Sequence, residues 1–235
     1  MKIHCYFINW NDSFYIPFFH KHYSKFCEKI IMYDQHSTDG SIELAKSLGI
    51  EVRTFGSPGI LNDQWYLDVK NNCWKECRGK GIDYVIVVDV DEFVTIPEKY
   101  IESMSPFPHV QGYNMISEEL PVSDVFEIKT GEPSEGYSKQ AVFSPDFVTE
   151  IAYVHGCHKN NAIIPPLNYT GTVGCNLFHY RMIGGVQRMI DRHAIYRARL
   201  SGFNKKHKMG FHYEHSDNAK RDEWEYLKSK AVKLW

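Results

Sequence analysis

Three carboxylates crowd into four residues at Asp89, Asp91 and Glu92, directly after the apolar run in IDYVIVV (82–88). Like charges at that spacing repel, so the cluster calls for a cation among them. Hard carboxylate oxygens suit Mg2+ or Mn2+, ions that readily take phosphate oxygens as further ligands. Two Asp residues two apart occur by chance in many loops, so the pair alone is a weak signal. In an extended segment Asp89 and Asp91 would share one side, because side chains alternate. The competing reading is that Asp91 caps the following turn, and for Glu92 capping is the expected role.

Position strengthens the signal. The run 83–88 is continuously apolar after Asp83, as a strand buried on both faces of a parallel sheet should be. The preceding residues alternate between strand and helix patterns. KIHCYFI (2–8) reads as a strand, and Ile16, Phe19, Tyr23 and Phe26 recur at helical spacing. KIIMYD (29–34) is a second strand, STDGSIELAKSLG a turn, a helix and a glycine stop, and IEVRTF (50–55) a third strand. Leu61, Trp65, Val69, Cys73 and Cys77 mark one stripe of a further helix. This β/α alternation predicts a parallel, nucleotide-binding type of sheet flanked by helices. Ligands of such sheets bind beyond the carboxyl ends of the strands. Asn9, Asp34, Gln35 and the segment Asp89 to Glu92 all fall at those ends.

After the quoted strand, TIPEKYIESM predicts a short helix with Pro97 near its first turn. The alternation then stops, and short strand-like pieces follow: GYNMIS, SKQAVF, EIAYV and TVGCNLF. A long helical stretch is predicted from 184 to 201, and DEWEYLKSKAVKLW reads as an amphipathic helix. The chain 1–235 is therefore expected to be one domain. Residues 1–104 would form the nucleotide-binding half, 105–213 a mixed strand-and-loop acceptor side, and 214–235 an amphipathic tail.

A formal net charge of −2 argues against a general nucleic-acid binder. Residues 181–235 nevertheless carry 13 of the 27 lysines and arginines but 6 of the 29 acids. That asymmetry suits an anionic partner: a diphosphate, a phospholipid surface or the acidic body itself. Trp224, Leu227, Leu234 and Trp235 beside Lys228, Lys230 and Lys233 would allow peripheral membrane contact, with packing onto the domain as the alternative. Six scattered cysteines predict free thiols in a reducing compartment, hence a cytoplasmic location. No run reaches the roughly 20 apolar residues of a membrane span. HGCH (155–158) with Cys175 and His179 can be drawn as a zinc site, but its spacing fits no common pattern.

MYDQHSTDGSIELAKSLGIEV followed by VVDVDEFV resembles a GT-A glycosyltransferase of the family 2 type, in the branch whose metal motif reads Asp-x-Asp-Glu-Phe. GYSKQAVFSP (136–145), HGCH, FHYR (178–181) and RHAIYRARLSGFNKKHKMGFHY (192–213) are similar to later blocks of that branch. The resemblance implies a GT-A fold and a metal-dependent transfer, with inversion, from a nucleotide-sugar, most often UDP-linked, to a glycan or other hydroxyl acceptor. It places the donor's base and ribose near Asn9, Asp34 and Gln35 and the ribose and metal near Asp89. Asp91 would bind Mn2+ or Mg2+ directly, with His179 completing the shell. Gln35 departs from the second acid common in the family, which loosens the inference about nucleotide identity.

An inverting transfer needs a base for the acceptor hydroxyl. Asp146, Glu150 and His158 fall in the right part of the chain, and His158 is the one expected in the site. Lys139 is a candidate for meeting phosphate, as are Arg181, Arg188, Arg192, Lys205 and Lys206. Two other readings compete. One is a non-catalytic sugar-nucleotide or glycan-binding module on the same fold. The other is a haloacid-dehalogenase-like phosphatase, which would want the motif on the first strand and a later pair of acids.

Overall fold

The computed structural model describes residues 1–97, 104–166 and 174–235. The expected strands and helices of the first half form as β1 (Ile3–Asn9), α1 (Ile16–Tyr23), β2 (Lys29–Asp34), α2 (Ser41–Ser47), β3 (Glu51–Thr54), α3 (Asp63–Asn72) and β4 (Tyr84–Asp89). β1 pairs in parallel with both β2 and β4, and β2 with β3. A two-residue strand, β8 (Val142–Phe143), adds antiparallel to β4, giving the order β3-β2-β1-β4-β8. Val85, Ile86, Val87 and Val88 are all buried, as the central position of β4 requires.

Three local readings shift. The α3 stripe is rotated: Leu67 and Lys70 face inward, while Trp65 and Val69 are only half-buried. The helix ends at Asn72 and tightens into a 3-10 turn over Cys73–Cys77. The C-terminal helix α6 (Asp217–Lys230) starts earlier than its apolar residues suggest, because the Ser216 side chain accepts from the Ala219 amide as an N-cap. Most of the helix expected at 95–104, and Thr172 and Val173 of TVGCNLF, lie outside the described residues.

The larger difference is a second five-stranded sheet. The acidic cluster does not end one strand: β4 stops at Asp89, Val90 and Asp91 turn, and Glu92 opens β5 (Glu92–Thr95). β5 runs antiparallel to β9 (Gly174–Ile183), which pairs in parallel with β6 (His109–Ser117). β7 (Thr130–Pro133) and β10 (Val232–Lys233) complete the order β10-β7-β6-β9-β5. EIAYV contributes only isolated bridges, Glu150 to Ile163 and Tyr153 to Asn160. The result is an α/β protein with two mixed sheets flanked by helices.

Buried tyrosines tie α1 to the second sheet. Tyr23 Oη donates to the Glu92 carbonyl at 3.0 Å and accepts from the Val94 amide at 2.9 Å. Tyr15 Oη donates to the Tyr180 carbonyl at 2.7 Å. One apolar cluster accordingly runs from Ile3 and Phe7 through Phe93 to Leu177 and Ile183. On the other side, α4 (Gly185–Arg199) and α6 close over β9, with Trp224 packed against Ile116, Met182 and Met189. The C-terminal aromatics thus pack onto the domain. Trp224 is buried, Leu234 joins the main core, and Trp235 meets Phe126 and Phe178, although it stays partly exposed. Among the described residues no helix is long and apolar enough to cross a membrane.

Candidate active site

The crossing from β4 into β5 puts the acidic cluster at the seam of the two sheets. A cleft of about 640 Å³ opens there, with Ile8, Trp10, Asp12, Asp89 and Asp91 at the ends of the first sheet. Leu61, Asp63, Tyr66 and Lys70 line it beside α3. Tyr137 and residues 155–158 form another wall, and His179, Arg181, His193, Tyr196 and the segment 207–213 close the far side.

The three acids of the cluster have three different environments. Asp89 Oδ2 accepts from Lys70 Nζ at 2.7 Å and from Lys139 Nζ at 3.4 Å. Burial alone would raise this carboxyl, but the two ammonium groups outweigh it and hold it well below the usual carboxylate range. Glu92 is 1% exposed; its Oε2 lies 2.5 Å from Lys139 Nζ and accepts from the Asp89 amide at 2.6 Å. Glu92 therefore closes the turn before it rather than the one after. Asp91 faces His179, with Oδ1 3.6 Å from Nε2, too long for a hydrogen bond. Burial opposes ionisation of Asp91 as well, but His179, then Arg192 and Arg181, hold it ionised.

The cationic partner demanded by the acids is thus partly built in. Lys70 and Lys139 are 3% and 1% exposed. Lys139 is not a surface lysine, nor does it line the cleft. Lys70 went unnoticed in the sequence, although a lysine one turn from Leu67 on the inward stripe of a helix was its available signal.

His158 lines the cleft, and its ring meets Tyr137 edge-on with centroids 4.9 Å apart. Tyr137 also packs against His179 at 4.5 Å. Burial, followed by the charge of Lys139, pushes His158 down to about 3, so its imidazole is neutral at physiological pH. Tyr137 can approach because β6 has Gly112 opposite it: a Cβ there would lie 2.2 Å from the Tyr137 carbonyl carbon. The other two expected bases do not line the cleft. Glu150 pairs with Lys75 at 2.7 Å, and Asp146 Oδ1 accepts from the Gly79 amide at 2.7 Å.

Asn9, Asp34 and Gln35 do converge, but behind the cleft wall. Asp34 is fully buried and accepts from Asn9 Nδ2 at 2.9 Å and from the Ser37 amide and hydroxyl at 2.7 and 2.6 Å. Gln35, also fully buried, accepts from Tyr66 Oη at 2.8 Å and Arg199 Nη2 at 2.6 Å and donates to the Ile60 carbonyl. None of the three lines the cleft; Gln35 supports Tyr66, which does. The candidate cations divide likewise. Arg181 lines the cleft between Tyr196 and Tyr213, donating to Tyr213 Oη at 3.1 Å. Arg192 makes a bidentate pair with Asp12, Arg188 donates to the Ile183 carbonyl, and Lys205 and Lys206 are exposed away from the cleft.

Asp91 and His179 are the residues that could hold a metal ion. Among the described residues no three His, Cys, Asp or Glu side chains converge as a metal cage, and this applies to the HGCH segment as well. All six cysteines are free.

No family model matches the chain, and no curated protein matches it. Among solved structures it is similar to glucosyl-3-phosphoglycerate synthase from Mycobacterium tuberculosis in complex with Mn2+, UDP and glucosyl-3-phosphoglycerate, at 16% identity over 48% of this chain and 44% of that one, with a TM-score of 0.31. It is also similar to mannosyl-3-phosphoglycerate synthase from Rubrobacter xylanophilus, at 16% identity over 49% and 40% of the two chains, again with a TM-score of 0.31. The match spans less than half the length of either structure. Both likenesses are partial and distant, and no fold family, residue role or activity is transferred from them.

Proposed function

We propose that the chain is a divalent-metal-dependent glycosyltransferase. It would move a monosaccharide from a nucleoside-diphosphate sugar, with UDP-linked donors the first to test, to a glycan or other hydroxyl acceptor with inversion. The observation that carries this reading is the Asp91–His179 pair beside Asp89, on a cleft beyond the carboxyl ends of β1 and β4.

The donor nucleoside would lie against Trp10, Leu61, Asp63 and Tyr66, with Gln35 bracing that wall from behind through Tyr66. Asp91 and His179 would hold Mn2+ or Mg2+, hard ions that also accept phosphate oxygens as ligands. Bound there, the ion would stabilise the charge that the diphosphate gains as the sugar–phosphate bond breaks. Arg181 adds a fixed positive charge on the same side. His158, neutral and in the cleft, is the residue to take the acceptor hydroxyl's proton. An anionic diphosphate beside it would raise its basicity from the low value of the free site.

The test is a thermal-shift panel of UDP-, GDP- and dTDP-sugars with and without Mn2+, followed by measurement of nucleotide release. Stabilisation by one nucleotide class that requires metal and disappears in Asp91→Asn is expected. Equal shifts in wild type and variant would overturn the assignment. A second reading, a non-catalytic binder, is favoured by the low basicity of His158 and by the absence of Asp146 and Glu150 from the cleft. It predicts the same shift with no nucleotide diphosphate released.

A further inference from the structure

The acidic corner holds three carboxylates but only one that is not already neutralised by an ammonium group. Lys139 bridges Glu92 at 2.5 Å and Asp89 at 3.4 Å, and Lys70 takes the same Asp89 oxygen at 2.7 Å. Both lysines are almost wholly buried, so water screens these pairs weakly. A divalent ion approaching Asp89 Oδ2 or Glu92 Oε2 would have to displace a buried ammonium or sit against it. Among the described residues Asp91 has no ammonium or guanidinium group within ion-pair distance. The Arg192 and Arg181 charges reach it only through space. It faces the His179 imidazole, which is 5% exposed, lines the cleft and leaves its Nδ1 without a hydrogen bond.

We propose that Lys70 and Lys139 withhold Asp89 and Glu92 from metal binding, so that the Asp91–His179 pair captures a divalent ion only together with a nucleoside diphosphate. The inference rests on the reading of the cleft as a nucleotide-sugar site. One carboxylate and one imidazole supply two ligands and one negative charge to an ion that takes six or more oxygen-type ligands. The missing ligands and charge are what a diphosphate brings. The lysines also let the corner fold without metal, since the repulsion among the acids is already offset inside the protein. Metal and nucleotide binding must then be reciprocally coupled, each tightening the other by the same factor. Asp89, relieved of metal duty, keeps its other oxygen for a neutral donor such as a hydroxyl.

The experiment is calorimetric titration of the full chain with Mn2+ alone, UDP alone and each in the presence of the other. For the wild type, Mn2+ alone is expected to bind no tighter than about 1 mM, and UDP and Mn2+ to tighten one another by about tenfold or more. Lys70→Met frees Asp89 and is expected to tighten Mn2+ binding without nucleotide by about tenfold, whereas Lys70→Arg, which keeps the charge, is not. Micromolar binding of Mn2+ alone to the wild type, or an unchanged Mn2+ affinity in folded Lys70→Met, overturns the inference. If circular dichroism shows Lys70→Met unfolded, Asp89→Asn decides: the mutual tightening of UDP and Mn2+ should survive, and its loss would make Asp89 a metal ligand. Failure of UDP, GDP and dTDP to bind in any combination overturns the nucleotide-sugar reading instead. The gain of Mn2+ binding in Lys70→Met tests the lysines independently of that outcome.

Discussion

Two polar clusters sit at the carboxyl ends of neighbouring parallel strands, and they have opposite fates. At the end of β2, Asp34 and Gln35 are fully buried and spend their hydrogen-bonding capacity on Asn9, Ser37, Tyr66, Arg199 and Ile60. At the end of β4, Asp89 and Asp91 border an open cleft, and Asp91 is left with an imidazole too far away to hydrogen-bond. Both clusters occupy the place where such sheets bind ligands. The difference teaches that a strand end becomes a site only where polar capacity is left over. Buried groups whose acceptors are filled, as those of Asp34 and Gln35 are, serve stability, although Asn9 Oδ1 beside them has no partner.

The largest effect should separate the two clusters outright. Asp91→Asn is expected to abolish the metal-dependent nucleotide shift and to lower any transfer or donor hydrolysis by about 100-fold or more, while the protein stays folded. Asp34→Asn should do the reverse. It sets an amide against the Asn9 and Ser37 donors, so urea unfolding should show a loss of about 1–3 kcal/mol with nucleotide affinity unchanged. An Asp34 variant that is stable yet cannot bind nucleotide would break the comparison.

Next in size is the buried pairing within the acidic corner. Lys139→Met leaves the Glu92 carboxyl without its ammonium partner at 1% exposure, and a loss of about 3–5 kcal/mol in denaturant unfolding is expected. Adding Glu92→Gln should recover part of that loss, because the unpaired carboxyl is gone, and a double-mutant cycle reads the coupling directly. Gly112→Ala should cost about 1–3 kcal/mol, since its Cβ must push the Tyr137 backbone away. Nucleotide-sugar turnover should fall more than nucleotide affinity, because Tyr137 packs against the rings of both His158 and His179.

The cleft's far wall predicts a pH dependence. Burial, then Arg181, pushes His193 down to about 3 from an ordinary value near 6.5, so the unfolded chain binds the proton first. Its contribution is therefore complete above about pH 6.5 and is lost as the pH falls toward 3, at no more than about 1.4 kcal/mol per pH unit. His193→Phe should flatten the stability profile between pH 6.5 and 4, and an unchanged slope would count against a buried neutral imidazole. The smallest effect belongs to the exposed Lys228–Glu118 pair: Glu118→Gln should leave the unfolding midpoint unchanged within error.

What could be read in advance follows the range of the forces involved. Local pattern determined the β1-to-β4 alternation, because a buried parallel strand must be apolar along its length and a flanking helix must carry a stripe. His158 and His179, two histidines that do line the cleft, were singled out through the resemblance to a glycosyltransferase family and not by pattern. The local reading placed Asp89 and Asp91 at a strand end. It also placed Asn9, Asp34 and Gln35 together, but sequence adjacency to a strand end cannot say which way a side chain's hydrogen bonds are spent. Only the tertiary structure turned Gln35 onto Arg199, 164 residues away, and Lys139 onto Asp89, 50 residues away. It alone turned the chain after Asp89 into a second sheet, so that one run of acids was divided among two lysines, a backbone amide and an imidazole. Charge balance in a buried corner is a sum over groups that meet only on folding, and no window along the chain contains it.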